Sequence, residues 1–184
     1  MEEHRVIEKV LDALERMADS QSVDKNFLKD AIDFLRNFAD GCHHAKEEDV
    51  LFPALESAGI PRDGGPIGCM LDEHVQGRHL IGIMADDTDA AHQGNVEPTE
   101  RVIAAARAYV ALLRQHIDKE DNVLFVMAQQ VLNPQQQAQV LARFQQPGGK
   151  AEPEKHECYL GLADTLSAWK FSKPHTQHTL GGTP

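Results

Sequence analysis

Apolar residues along this chain recur at steps of three and four, the period of a helix with one buried face. Ile7, Leu11, Leu14 and Ala18 predict a first helix over residues 2–20. A second run starts after Ser22 or Asp24, both N-cap residue types, and carries Leu28, Ile32, Leu35 and Ala39 past Cys42 to Glu56. Pro53 lies inside that run and predicts a kink or break. The stretch Gly59–Pro66 is dense in glycine and proline and reads as a loop. Ile67, Leu71, His74, Ile81 and Ala85 mark a third helix over 67–85, and the polar stretch 86–98 reads as the next connection. Thr99 is the expected cap of a fourth helix, running to Leu132 with the stripe Val102, Ala106, Tyr109, Leu113, His116, Glu120, Val123, Met127 and Val131. Asn133-Pro134 ends it and opens a short amphipathic piece with Val140, Leu141 and Phe144. Gln145–Glu154 reads as a linker, and Tyr159, Leu160, Ala163 and Leu166 mark a last helix to Phe171. Residues 172–184 carry no periodic pattern and are expected to be disordered.

Four long amphipathic helices with modest connections predict an all-α four-helix bundle with additional C-terminal helices. No repeat recurs at a solenoid period, so a helical array is the poorer reading. The division expected is a bundle over 1–146, a linker and C-terminal helix over 147–171, and a tail over 172–184. Aromatic content of 5% favours helices over sheet. With 18 basic against 29 acidic residues, the net charge of −11 argues against nucleic acid and against an anionic membrane surface. No apolar run reaches the roughly 18 residues a membrane span needs. The start, MEEHRVIEKV, is charged and shows no apolar signal segment, so a cytoplasmic location is the expectation. Cys42, Cys69 and Cys158 are scattered without a Cys-x-x-Cys, and read as reduced thiols that serve packing. Cys42, beside His43, is the one to watch for redox chemistry.

Ten histidines change the picture. Residues 43–52, HHAKEEDVLF, are echoed by residues 116–125, HIDKEDNVLF, with identity at six of ten positions. The echo aligns His43 with His116 and Glu47 with Glu120, choosing His43-x-x-x-Glu47 over His44-x-x-x-Glu48. A four-residue spacing puts each His and Glu one turn apart on one face. Leu35, Ala39, His43, Glu47 and Leu51 form one four-residue row, and His116 and Glu120 interrupt the apolar stripe of the fourth helix. Both pairs therefore point at the core, where an imidazole–carboxylate pair costs on the order of several kcal/mol unless it is compensated. His74 and His4 lie on the inner stripes of helices three and one. One inward His per helix and two inward Glu fit a pair of ions with bridging carboxylates, the mixed ligation of di-iron and di-manganese bundles. His44, Glu48 and Asp121 read as residues behind the ligands or on the surface. Glu8, and His92, His156, His175 and His178, read as exposed.

These blocks resemble the hemerythrin-like, HHE cation-binding domains. The resemblance covers roughly residues 1–132 and rests on EEHRVIEKVL, HHAKEEDVLFPAL, DEHVQGR and HIDKEDNVLF. It implies an up-down-up-down bundle around a non-haem di-iron centre, with His4, His43, Glu47, His74, His116 and Glu120 as ligands and both Glu as bridges. The chain departs from the oxygen carriers of that family at Arg78, where they place a second third-helix His. Either a neighbour, His79 or His44, supplies the missing imidazole, or a coordination position is open to water. The carriers' last carboxylate is an Asp, which here would be Asp121 beside Glu120. The expectation is a protein holding two iron ions, with zinc or manganese accepted by the same donors. It binds or senses oxygen, nitric oxide or peroxide, or holds iron. The alternative is a di-iron redox enzyme acting on oxygen, peroxide or nitric oxide, or an iron donor for repair of damaged iron centres.

Overall fold

In a computed structural model that describes residues 2–145 and 153–171, the amphipathic runs fold as helices, and no strand occurs among those residues. Helix α1 spans Glu2–Ser20. Asp24 then caps α2, Lys25–Phe34, by accepting the N–H groups of Asn26 and Phe27 at 2.9 and 3.0 Å. The same rod continues through a π-helical stretch, Leu35–His44, a second one, Glu47–Leu51, and α3, Phe52–Ser57. Helix α4 spans Pro66–His92. Helix α5, Val96–Lys119, continues through a π turn, Glu120–Leu124, into α6, Phe125–Val131. Helix α7, Pro134–Phe144, opens with a capping box between Asn133 and Gln136. Helix α8 spans Pro153–Ser167.

Four of these expectations need correction. Residues 86–92 are helical rather than a connection. Buried Thr88 and Ala91 pack inward, Asp87 and Asp89 pair with Arg101 and Lys25, and the actual link is Gln93–Asn95 with Gly94 at φ +85°. The following helix begins at Val96 after Asn95, not at a Thr99 cap. Pro53 does not break its rod. The proline follows a π turn in which the Phe52 N–H bonds the Glu47 carbonyl, so the irregularity is taken up before the ring. Helix α8 starts inside the stretch read as linker and ends at Ser167, short of Phe171. Residues 146–152 and the tail expected over 172–184 lie outside the described residues.

Cross-helix pairs record how the rods meet. From α1, Arg5 lies near Asp121, Asp12 and Glu15 hold Arg114, and Asp19 holds Arg107. Lys25 pairs with Asp89 and Arg78 with Asp40, joining the second rod to α4. Asp87 and Glu73 of α4 pair with Arg101 and Lys119 of α5. Exposed pairs of this kind contribute about 0–1 kcal/mol each, so the fold rests on the apolar core. That core has two parts. The larger gathers Leu11, Phe34, Phe38, Tyr109 and Leu113 with Ala163 and Leu166 of α8. The smaller gathers Leu51, Phe52, Ile67, Met70 and Leu124. Between them lies a layer of buried polar residues. No described helix is long and apolar enough to cross a membrane.

Candidate metal centre

The polar layer contains His4, His43, His44, Glu47, His74, His116 and Glu120, all buried. All six residues singled out in the sequence are thus brought together, with His44 added. Consecutive helical residues lie roughly 100° apart, so neighbours can straddle the inward direction. On the second rod His43 faces α1, its Nε2 3.1 Å from that of His4. His44 faces α4, stacked on His74 with ring centroids 4.0 Å apart. The adjacent histidines therefore serve two sides of one centre.

Two groups of donors form. His44, His74, His116 and Glu47 place one ligand atom each within 4.8 Å of one another, and so do His4, His43, Glu47 and Glu120. Glu47 belongs to both: Oε1 is 3.7 Å from His43 Nε2 and Oε2 is 3.5 Å from His74 Nε2. Glu120 also spans them, with Oε2 at 3.2 Å from His4 Nε2 and Oε1 at 3.1 Å from His116 Nε2.

Behind each imidazole stands a carboxylate. The Nδ1 atoms of His4, His43, His44, His74 and His116 meet Asp121, Glu3, Asp40, Glu48 and Glu73 at 2.8, 3.0, 3.3, 2.7 and 2.9 Å. Cations stand behind these in turn: Arg5 by Asp121, Lys46 by Glu3, Arg78 by both Asp40 and Glu48, and Lys119 by Glu73. Burial opposes the charge on Glu3 and Asp40. Bonds from His43 and Lys46 to Glu3, and from His44 and Arg78 to Asp40, nonetheless hold both carboxyls down at about 2. Ionised Glu3 and Asp40 can only accept, so the facing Nδ1 of His43 and of His44 carries the proton. A neutral ring then turns a bare Nε2 lone pair inward.

That arrangement is incomplete without a cation. The Nε2 atoms of His4/His43 and His74/His116 stand 3.1 and 3.2 Å apart, a spacing that needs a shared proton or a cation between them. His44 Nε2 and all four carboxylate oxygens of Glu47 and Glu120 are buried without an aligned hydrogen-bond partner. Each such group costs about 1–3 kcal/mol or more. Burial, reinforced by neighbouring imidazoles, pushes His44 down to about 3 and His74 to about 4. His43 goes the other way: burial opposes its charge, but Glu47, Glu120 and Glu3 outweigh it and raise it to about 10. Burial and the charge of Glu120 raise Glu47, while His116, His4 and His43 hold Glu120 ionised against burial. Protons stand in for a cation. The donor set, imidazole and carboxylate without thiolate, fits divalent transition ions.

Other sequence expectations resolve here. His79 is exposed and apart from the centre. Asp121 holds His4 from behind instead of reaching inward. Arg78, 42% exposed at its side chain, ties Asp40 to Glu48 instead of occupying the centre. His156, expected on the surface, is half-buried, and His175 and His178 lie outside the described residues. His44, left out of the six ligands and named with His79 as a source of the missing imidazole, joins the donors; its sequence signal was the His-His pair, in which the echo favoured His43.

A helical bundle with a buried layer of histidines and carboxylates defines a class of cation-binding proteins. Residues 1–128 match the family model described as the hemerythrin HHE cation-binding domain, and the chain belongs to that family. The protein Rv1995 of Mycobacterium tuberculosis is 28% identical over 138 residues, covering 72% of this chain and 53% of its own length. An iron-sulfur cluster repair protein YtfE of Dickeya chrysanthemi is 34% identical over 88 residues, 47% of this chain and 40% of that protein. A protein of the same name from Edwardsiella ictaluri is 33% identical over 104 residues, 53% and 44% of the two chains. The chain spans about half the length of the curated relatives it matches, or less. No solved structure matches it.

Proposed function

We propose that this chain is a non-haem di-iron protein that binds or senses oxygen or a related small molecule, or holds iron in reserve. His44, His74 and His116 would hold one ion and His4 and His43 the other, with Glu47 and Glu120 within reach of both groups. The observation that carries this reading is the pair of overlapping donor groups, whose inward nitrogen and oxygen atoms lack partners of their own. The opposed contacts of successive rods support an up-down-up-down four-helix bundle over 1–146 as its scaffold, with 147–171 as an addition.

Two ferrous ions, when bound, supply two electrons and a place for oxygen, nitric oxide or peroxide to attach. The chain does the rest. Each carboxylate behind an imidazole fixes the ring's tautomer and aim, and the cation behind it keeps the carboxylate charged. The two apolar clusters keep bulk water from the polar layer. Burial and the charge of Glu120 favour the protonated form of the Glu47 carboxyl, and a cation in the site favours its ionised form. Five imidazoles replace the four counted in sequence, so the deficit opened by Arg78 is met from the second rod and oxygen binding stays in reach.

A second reading, donation of iron to damaged iron centres, is favoured by the two relatives named for iron-sulfur cluster repair. The test is metal analysis of anaerobically purified protein, followed by visible spectra before and after oxygen. Two irons per chain with a reversible new band support binding or sensing. Irreversible oxidation supports redox chemistry or iron donation. No iron, or a single zinc, overturns the di-iron reading.

A further inference from the structure

A second group of metal-ligating side chains lies beside the centre and shares one carboxylate, Glu3, with it. Glu3 of α1, Cys42 of the second rod and His156 of α8 each offer one ligand atom within 4.8 Å of the others. Cys42 is a free thiol, 2% exposed. The His156 ring rests against Phe38, with centroids 5.3 Å apart. Its helix is docked: Ala163 and Leu166 are fully buried, Tyr159 packs on Phe34 and Phe38, and Lys9 pairs with Asp164.

A buried cysteine alone reads as a small apolar residue. Here an imidazole and a carboxylate from two other helices converge on it. Glu3 is already engaged, Oε2 with His43 Nδ1 at 3.0 Å and Oε1 with Lys46 Nζ at 2.8 Å. Both contacts keep it ionised, and each oxygen retains a further lone pair. Thiolate, imidazole and carboxylate together select borderline ions such as zinc and cobalt over magnesium and calcium.

We propose that Glu3, Cys42 and His156 form a mononuclear site for a zinc-like divalent cation, with a fourth position open to water. Binding replaces the Cys42 thiol proton, which passes to solvent. Glu3 also holds His43, so this site and the centre share one carboxylate, and the ion ties α8 to the first two rods. The proposal does not depend on which metal or activity the centre has.

The test uses the full chain carrying Cys69→Ser and Cys158→Ser, which leaves Cys42 as the remaining thiol of three. Metal-free protein is titrated with Co²⁺ under anaerobic conditions. The centre contributes no sulfur, so a near-ultraviolet thiolate-to-cobalt charge-transfer band reports this site alone. The expected result is a band that saturates within three equivalents, two of them taken by the centre without contributing to the band, and that vanishes in Cys42→Ser. His156→Ala, on a half-buried face, should weaken the affinity read from the band by about 10-fold or more, and it carries the test if Cys42→Ser fails to fold. No band in the parent protein, or an unchanged affinity in His156→Ala, overturns the proposal.

Discussion

Aim, more than identity, decides what each side chain in the polar layer can do. Glu47 and Glu48 are neighbours of the same type. Glu47 is fully buried between the two donor groups, while Glu48 stands behind His74 and is shared with Arg78. His43 and His44 divide in the same way between α1 and α4. Glu47→Ala should therefore lose metal from both positions, whereas His44→Ala should lose it from one, as measured by metal stoichiometry. Equal loss in the two variants would refute the division into two groups. Arg78→Gln releases Asp40 and Glu48 together, and so loosens His44 and His74 from behind. Stepwise metal titration should show one of two affinities reduced about 10–100-fold and the other unchanged.

At the scale of elements, the π turns set which residues reach the core. Beyond Glu120 a plain α-helical stripe continues through Val123, Met127 and Val131. The π turn Glu120–Leu124 adds a residue and moves the buried row to Leu124, Ala128 and Leu132, leaving Val123 56% exposed. Val123→Ser should change stability by no more than about 0.5 kcal/mol. Leu124→Ala should cost about 2–5 kcal/mol in urea unfolding. The reverse order of costs would mean that the α-helical register holds in solution. Helix α8 makes a separate contribution, because Leu166 covers the larger core beside α1 and α2. Leu166→Ala should also cost about 2–5 kcal/mol, with the metal stoichiometry of the centre unchanged.

Across the whole molecule, a polar layer lies between two apolar clusters and makes the metal-free state sensitive to acid. His44 and His74 take up protons at about 3 and about 4 when folded, against an ordinary 6.5. Between those values and 6.5 the unfolded chain binds protons that the folded chain refuses, so folding stability falls as pH falls through that window. Glu3 and Asp40 extend the loss toward pH 2, as protonation removes the bonds that hold them charged. His43 acts with the opposite sign: its contribution is complete below 6.5 and is lost as pH rises through about 10. Thermal unfolding of metal-free protein should thus give a Tm that declines from pH 6.5 to pH 4. Bound metal at 100 times its Kd should add about 2.7 kcal/mol near neutrality, and that increment should shrink in acid as protons compete for the same nitrogens. A Tm independent of pH in that range would contradict the buried, neutral state of His44 and His74.

The sequence by itself determined the helices, their inner stripes outside the π turn at Glu120–Leu124, and six of the seven buried polar residues of the centre. Periodicity and a repeated motif are local properties of the chain, and a His and Glu one turn apart share a face wherever the helix is placed. Leu35, Ala39, His43, Glu47 and Leu51 carried one further local clue: a strict four-residue row drifts by about 40° per step on a plain α-helix, yet all five are buried. The π turns keep that row inward. Only the tertiary structure decided that His44 faces α4, that Arg78 holds two carboxylates behind the centre, and that residues 86–92 remain helical against charged partners from other rods. It alone brought His156 from α8 to Cys42. Each of these depends on which helix lies on the far side, and a side chain's partner across a bundle is set by packing between segments distant in sequence.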